Sequence, residues 1–470
     1  MKRIDLAEVA AREWDVVLVG SSFASMFFAH ALPQDLDILI VEKGGFRPHE
    51  AQLRDGWRAG EDITQRNSSG FQKDWLSFIV FGGNSNFWWG DTPRFHPDDF
   101  RLHSRFGVGM DWPFGYDDLA PYYERAENLM EIAGGGSDHI LPRDKPFPYP
   151  EHTGSRADVV LQSLSTSWVP LPTARSNGGT RPTCCVNGVC GICPIDAKFT
   201  ILNGLEQIAH PKARYVLDTE FREVVVEGGR ATHGVLRGTD GQEVKVKGAV
   251  FALGANAIFN AAILLRSGVT SSALGRYLHE EPSQSVIVDT ATLKNYFGGT
   301  SDTGHSYHFY HDIDRSEAAA VLIESSNAPP NIREEPGKWT NRLVLTLVAE
   351  DLPIAENRVL LEEDAPVIEW TGHHPYAYRG LQRALDGLPG VIPDELDSVT
   401  AGGFLPSQAH IQGTHRISTD PAEGVVDEYL RLHEVPNVFA LGAGSFPTCS
   451  PANPTLTLSA MSLRAAEVVR

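Results

Sequence analysis

No apolar stretch in this chain approaches the ~18–20 uninterrupted residues that a membrane-spanning helix needs, so no such helix is expected. Basic runs are missing as well. Lys and Arg number 40 against 60 Asp and Glu, for a net charge of −20, and a chain without a basic patch is not built for nucleic acid or an anionic membrane surface. The acidity itself reads as solubility, because net charge bears on solubility and partners rather than on fold. The first residues, Met-Lys-Arg-Ile-Asp-Leu-Ala-Glu, place acids where a secretion signal needs an apolar core. A cytoplasmic location is therefore expected; export in the company of a signal-bearing partner would leave the same sequence. Internal repeats and low-complexity tracts are lacking too. Cysteine is scarce, five in all, yet four of the five crowd into one short segment.

What is present is an ordinary globular balance: 470 residues, 42% hydrophobic and 21% charged, enough for two domains. Trp14-Asp-Val-Val-Leu-Val19 is a short apolar run ending at Gly20, Ser21 to Leu32 has helical periodicity, and Asp37 to Glu42 is a second buried strand with an acidic end. This is a β-α-β unit with a dinucleotide fingerprint. Only the first of its three glycines is kept: the positions read Gly20, Ser22 and Ser25. Serine is small, and its hydroxyl can bond a phosphate oxygen. Glu42 follows at roughly the 20-residue distance from which an acid bonds a ribose hydroxyl.

Two further stretches point to a flat ligand. Phe81-Gly-Gly-Asn-Ser-Asn-Phe-Trp-Trp-Gly90 sets paired glycines beside small polar residues, which suits backbone laid against a ring. Lys247 to Ala255 reads as a buried strand with a glycine exit at Gly254, followed by a helix to Leu265. From about Ser285 to Thr400 the pattern becomes strands without long helices between them, which predicts an antiparallel sheet covered on one face. His305, His308 and His311 read there as strand-face residues. Asp117 to Met130 reads as an amphipathic helix, and residues 133–152 as a Gly- and Pro-rich surface loop.

The last sixty residues organise the rest. His410-Ile-Gln-Gly-Thr-His-Arg416 is turn-rich, so a base there can reach a ligand; Asn437 to Leu441 reads as a buried strand, with Gly442 and Gly444 permitting close approach. Asn453-Pro454 breaks the chain before an apolar helix, leaving free N–H groups outward at Thr455. In this order, His-x-x-Gly-Thr, Val425-Val-Asp427, Asn437-Val-Phe and Asn453-Pro-Thr resemble the C-terminal signature of the glucose-methanol-choline (GMC) oxidoreductases. The resemblance implies a discontinuous, Rossmann-like FAD-binding domain (1–100, 190–285 and 401–470) and an antiparallel-sheet substrate domain with connecting segments (101–189 and 286–400), a mixed α/β and α+β fold. It implies alcohol oxidation, with a sugar or glycoside hydroxyl as the favoured substrate and His410 and Asn453 at the reactive edge of FAD. His410 is then the base, its ordinary pKa near the working pH, and His415 the decoy. Gly20, Ser22, Ser25, Glu42, Gly254, Gly444, Pro454 and Thr455 would contact the cofactor, with Gly83, Asn84, Ser85 and Asn86 lining the isoalloxazine. Phe87 stands where some sugar-oxidising relatives tether flavin through His, so noncovalent FAD is expected. Phe87, Trp88 and Trp89 divide between core packing and the substrate pocket.

Cys184, Cys185, Cys190 and Cys193 lie within ten residues, with Pro194 after the last. Structural zinc sites use pairs set farther apart, and thiolates this close look more like iron–sulfur ligation. The segment is similar to one in the large subunits of bacterial membrane-linked sugar dehydrogenases, which hold a three-iron cluster, but the final spacing is one residue shorter. An iron–sulfur cluster, free thiols or a local disulfide, and zinc remain the alternatives. Oxygen, another acceptor or a redox partner subunit would take the electrons. Cys449 reads as a lone buried thiol.

Overall fold

The computed structural model describes residues 1–56, 63–137, 139–186, 188–295, 300–327, 338–392 and 394–470. Its first sheet has at its centre Glu13–Val19 and Ile38–Val41, paired in parallel. Val16 to Val19 and Ile38 to Val41 are buried, as expected of strands covered on both faces. Glu243–Leu253 joins Glu13–Val19 in parallel and is itself joined by Val438–Ala440, so the C-terminal segment enters the same sheet. Thr219–Glu227 and Arg230–Gly238 extend it as antiparallel strands. Helix Phe23–Ala31 follows the first strand, and the final helix, Thr455–Ala466, packs between it and helix Tyr116–Met130.

Gly20 marks the exit of the first strand. Its φ is +82°, and a Cβ there would stand 2.7 Å from the Gly254 carbonyl oxygen. Two strand exits therefore converge with only backbone between them.

The second sheet is antiparallel throughout: Leu396–Leu405, Ser283–Thr290, Arg342–Ala349, Val321–Ser326, Asp302–Phe309 and Trp168–Pro170, in that order. Helix Pro375–Val391 covers one face, packing Tyr376, Leu381, Ala384 and Leu388 against Val321, Ile323, Leu345 and Leu347. Gly380 allows this approach, since a Cβ there would stand 2.6 Å from Ala319. The period of two in a strand turns the alternate residues the other way, and Glu324 and Thr346 face the cavity described below.

A small third sheet pairs Arg358–Glu362, Ala365–Trp370 and Thr64–Asn67. An N-terminal segment thus crosses to the region of 286–400, a non-local pairing that hydrophobic periodicity does not reveal. Arg315, fully buried, anchors the second sheet through Asp99 at 2.7 Å and Glu350 at 3.3 Å.

Candidate active site

A cavity of about 740 Å³ lies between the first sheet and the open face of the second. Its two ends differ in charge. One end has Glu42, Lys43, Glu220, Arg222, Arg237 and Arg266; the other has Asp91, Asp302, Glu324, His410 and Asn453.

The first end is built by the β-α-β unit. Gly20, Ser21, Ser22, Glu42 and Gly254 line it. Helix Phe23–Ala31 has no side-chain cap at Ser22, so its first N–H groups are available to an anion. Glu42 is buried, accepts from Ser21 Oγ at 2.6 Å and from the Gly44 N–H at 2.8 Å, and its carboxyl is pushed up to about 7 by burial against those bonds. Ser21 also accepts from the Gly82 N–H at 2.8 Å, tying the glycine pair to the fingerprint.

Several expected cofactor contacts lie behind this wall instead. Ser25 is fully buried and donates to the Val19 carbonyl at 2.9 Å; it locks helix to strand and does not reach the cavity. Ser85 donates to the Gly82 carbonyl at 2.6 Å and Asn86 to the Phe81 carbonyl at 3.0 Å, so both build the turn Gly83–Asn86 while Gly83 and Asn84 face the cavity. Gly444 serves packing: a Cβ there would stand 1.9 Å from the His415 ring. Gly442 lines the cavity in its place. His415 itself is fully buried and, with burial pulling its pKa to about 3, neutral.

At the other end His410 Nδ1 lies 2.5 Å from Glu281 Oε2, which leaves Nε2 for the cavity. Glu281 is fully buried and also accepts from Gln412 Nε2 at 2.8 Å. Burial opposes a charged imidazole, but Glu281, aided by Glu280 and Asp91, outweighs it and holds His410 above the ordinary histidine value. Behind this pair, Lys73 and Glu280 form an ion pair at 2.8 Å with both side chains fully buried, Lys73 resting 4.2 Å above the Trp75 ring.

Asn453, Pro454 and Thr455 line the cavity at the head of the last helix, which no side chain caps. Asn453 therefore does not cap it. Its amide bonds Glu324, and its Oδ1 has no protein partner. Phe87, Trp88 and Trp89 all reach the cavity. Phe87 stacks within 4.1 Å of Phe78, Trp88 donates to the Phe199 carbonyl at 2.7 Å, and Trp89 is 49% exposed. Pocket and core are thus shared by the first two rings. His305 pairs across the sheet with Glu324, and His311 bonds His96 at 2.8 Å.

Of the alternatives for the cysteine segment, the iron–sulfur cluster finds no support in the structure. Cys190 and Cys193 are buried, Cys184 is half-buried and Cys185 is exposed, and none pairs in a disulfide. Among the described residues no three His, Cys, Asp or Glu side chains converge as a metal would require. Cys193 Sγ accepts from the Ala197 N–H at 3.2 Å. Lys198 occupies the interior of the segment, its ammonium donating to the carbonyls of Cys190 at 3.0 Å, Gly191 at 2.8 Å, Asn86 at 3.3 Å and Trp88. Thiol spacing alone could not register this inward lysine.

Sequence reasoning missed Glu281, Glu324, Asp91 and Asp302. The doublet Glu280-Glu281 before Pro282 was the available signal: adjacent acids at the threshold of a buried strand need partners.

Residues 389–462 match the family model of the GMC oxidoreductases. The chain is 26% identical to the fructose dehydrogenase large subunit of Gluconobacter japonicus over 97% of both chains. Over its C-terminal segment, and over nearly its whole length at this lower identity, the chain is similar to the GMC oxidoreductases. The chain is also 29% identical to 6'''-hydroxyparomomycin C oxidase of Streptomyces lividus, over 98% of its own length and 92% of the relative's. Among solved structures it resembles pyridoxine 4-oxidase from Mesorbium loti, with a TM-score of 0.67, 17% identity, and coverage of 97% of this chain and 98% of that one. The uncapped helix, the Gly20–Gly254 contact and the buried Glu42 fit a dinucleotide cofactor such as FAD.

Proposed function

We propose that this chain oxidises a sugar or glycoside hydroxyl to a carbonyl, with His410 as the base. One observation carries the reading: His410 and Asn453 line one cavity with the dinucleotide fingerprint, and a buried carboxylate stands behind the histidine. Bound FAD supplies the hydride acceptor. Gly20, Ser22, Glu42 and Gly254 would hold its dinucleotide portion, and Gly83, Asn84, Gly442, Pro454 and Thr455 would hold its ring portion. His410 Nε2 takes the substrate hydroxyl proton, and Glu281 stabilises the imidazolium that results. Asn453 bonds the same oxygen and orients it without adding charge. The surrounding aromatic rings exclude water from the reacting face.

The relatives' names support this substrate class: a fructose dehydrogenase large subunit, two oxidases of paromamine and 6'''-hydroxyparomomycin C, and a C-glycoside 3-oxidase. The test is anaerobic bleaching of the flavin by a panel of sugars, glycosides and simple alcohols. Reduction by sugars supports the reading; reduction only by simple alcohols removes it. FAD is held noncovalently, in keeping with Phe87 at the tethering position. Acid precipitation should leave the flavin in the supernatant, and flavin retained on a tryptic peptide would refute this.

A further inference from the structure

The end of the cavity beside His410 is acidic to a degree that a neutral sugar does not require. Asp91, Asp302 and Glu324 face it from three different segments. Among the described residues their one fixed cation is Arg175, fully buried, 2.9 Å from Asp91 and 3.5 Å from Asp302. His410 is already matched by Glu281. His305 lies 3.9 Å from Glu324, but burial pulls its pKa to about 3, so it brings no charge. Glu324 is 8% exposed and bonds the neutral amide of Asn453. Asp91 and Asp302 thus share one guanidinium, and among the described residues no charged cation pairs with Glu324.

Uncompensated carboxylates in a buried wall are costly, and burial moves two of these three, Glu324 and Asp91, toward the protonated form. Burial, then Asp91, Asp302 and Glu281, raise Glu324 well above its usual range; burial raises Asp91 to about 6, with Arg175 opposing. Asn, Gln or Ser would hydrogen-bond a polyol here without that cost. A second observation aims at the same place: Asn453 Oδ1, buried beside Glu324, has no protein partner.

We infer that the substrate is a cationic amino sugar, and that Glu324, with Asp302 and Asp91, receives its ammonium on the ring that carries the oxidised hydroxyl. This rests on the alcohol oxidation proposed above and names its substrate class. The contact of Glu324 with Asn453 places the charge close to the reacting oxygen. A hydrogen bond to a charged group is worth enough to change affinity about 10- to 100-fold. Two relatives act on aminoglycosides by name, which agrees with the chemistry of this wall.

The experiment uses holoenzyme under nitrogen and matched pairs: D-glucosamine and paromamine, each against its N-acetylated form, with D-glucose alongside. Flavin bleaching should favour the free amines by about 10-fold or more in apparent second-order rate. Glu324→Gln should bring that ratio toward one, with the bound-flavin spectrum reporting that the variant is folded; Asp302→Asn replaces it should flavin be lost. Calorimetry of glucosamine binding in two buffers of different ionisation enthalpy should show proton release in the wild type and less in the variant. Neutral sugars that bleach the flavin as fast as the amines, or an undiminished ratio in both variants, would overturn the inference and leave sugar oxidation standing. If no sugar of either kind bleaches the flavin, the proposed function falls, and the inference with it.

Discussion

His410 Nδ1 and Glu281 Oε2 stand 2.5 Å apart, the carboxylate fully buried and the imidazole open to the cavity through its other nitrogen. This arrangement fixes the ring and prepays the charge the ring must accept. His410→Ala should slow flavin reduction by about 100- to 10,000-fold, the usual contribution of a positioned base. FAD should stay bound. His415→Ala is the control: its ring lies behind the wall against Gly444, so it should lower stability while reducing the flavin far faster than His410→Ala. Stopped-flow bleaching under nitrogen separates the two.

The same pair sets a pH dependence. His410 must be neutral to accept a proton, and its pKa is raised above the ordinary 6.5 by Glu281 in spite of burial. The reduction rate should therefore fall as pH drops through that raised value, with the acid limb lying above 6.5. Glu281→Gln removes the carboxylate and leaves burial, so the limb should shift to lower pH and the plateau should drop. A limb unmoved by Glu281→Gln would detach it from His410.

Gly20→Ala should weaken FAD binding. The new Cβ would meet the Gly254 carbonyl at 2.7 Å, and φ is +82°. The left-handed conformation alone costs an L-residue about 1–2 kcal/mol. Faster flavin loss on desalting, with a lowered melting temperature, is the expected outcome.

Lys73→Met should destabilise the fold by about 3–5 kcal/mol, because it strands Glu280 as a buried charge without its partner. Denaturant unfolding of the holoenzyme measures this. A loss under ~1 kcal/mol would show that Glu280 is protonated or solvated in the variant.

The cysteine segment should carry no iron. Lys198 fills its interior with bonds to four carbonyls, and the thiols do not converge. Anaerobically purified protein should show iron and labile sulfide at background, and Cys185→Ser should reduce its flavin normally. Iron near three or four per chain would contradict this.

The two larger sheets were legible because burial leaves its mark in the sequence. Val16 to Val19 and Ile38 to Val41 are apolar throughout because both of their faces are covered. Ser283–Thr290 and Arg342–Ala349 alternate in burial, as strands with one covered face do. His410 and Asn453 were legible through the order of short motifs around them. What escaped depends on three-dimensional neighbours. Ser25 and Gly444 have the right residue type for a cofactor contact, yet helix–strand packing and the His415 ring claim them. Glu281 and Glu324 stand out only when their partners are known, since a carboxylate in a strand looks the same whether it meets solvent or a buried imidazole. Thr64–Asn67 pairs with Ala365–Trp370 across some 300 residues, and no local pattern encodes such a distance.

The strands that carry Glu324 and Thr346 divide two tasks between odd and even positions. Val321, Ile323, Leu345 and Leu347 hold the covering helix, while Glu324 and Thr346 face the cavity. Chemical taste and structural integrity are thus written on opposite sides of the same ribbon. A directed-evolution library confined to Glu324 and Thr346 would reshape the cavity wall without reopening the core, and would leave His410 and Glu281, borne by other segments, unchanged.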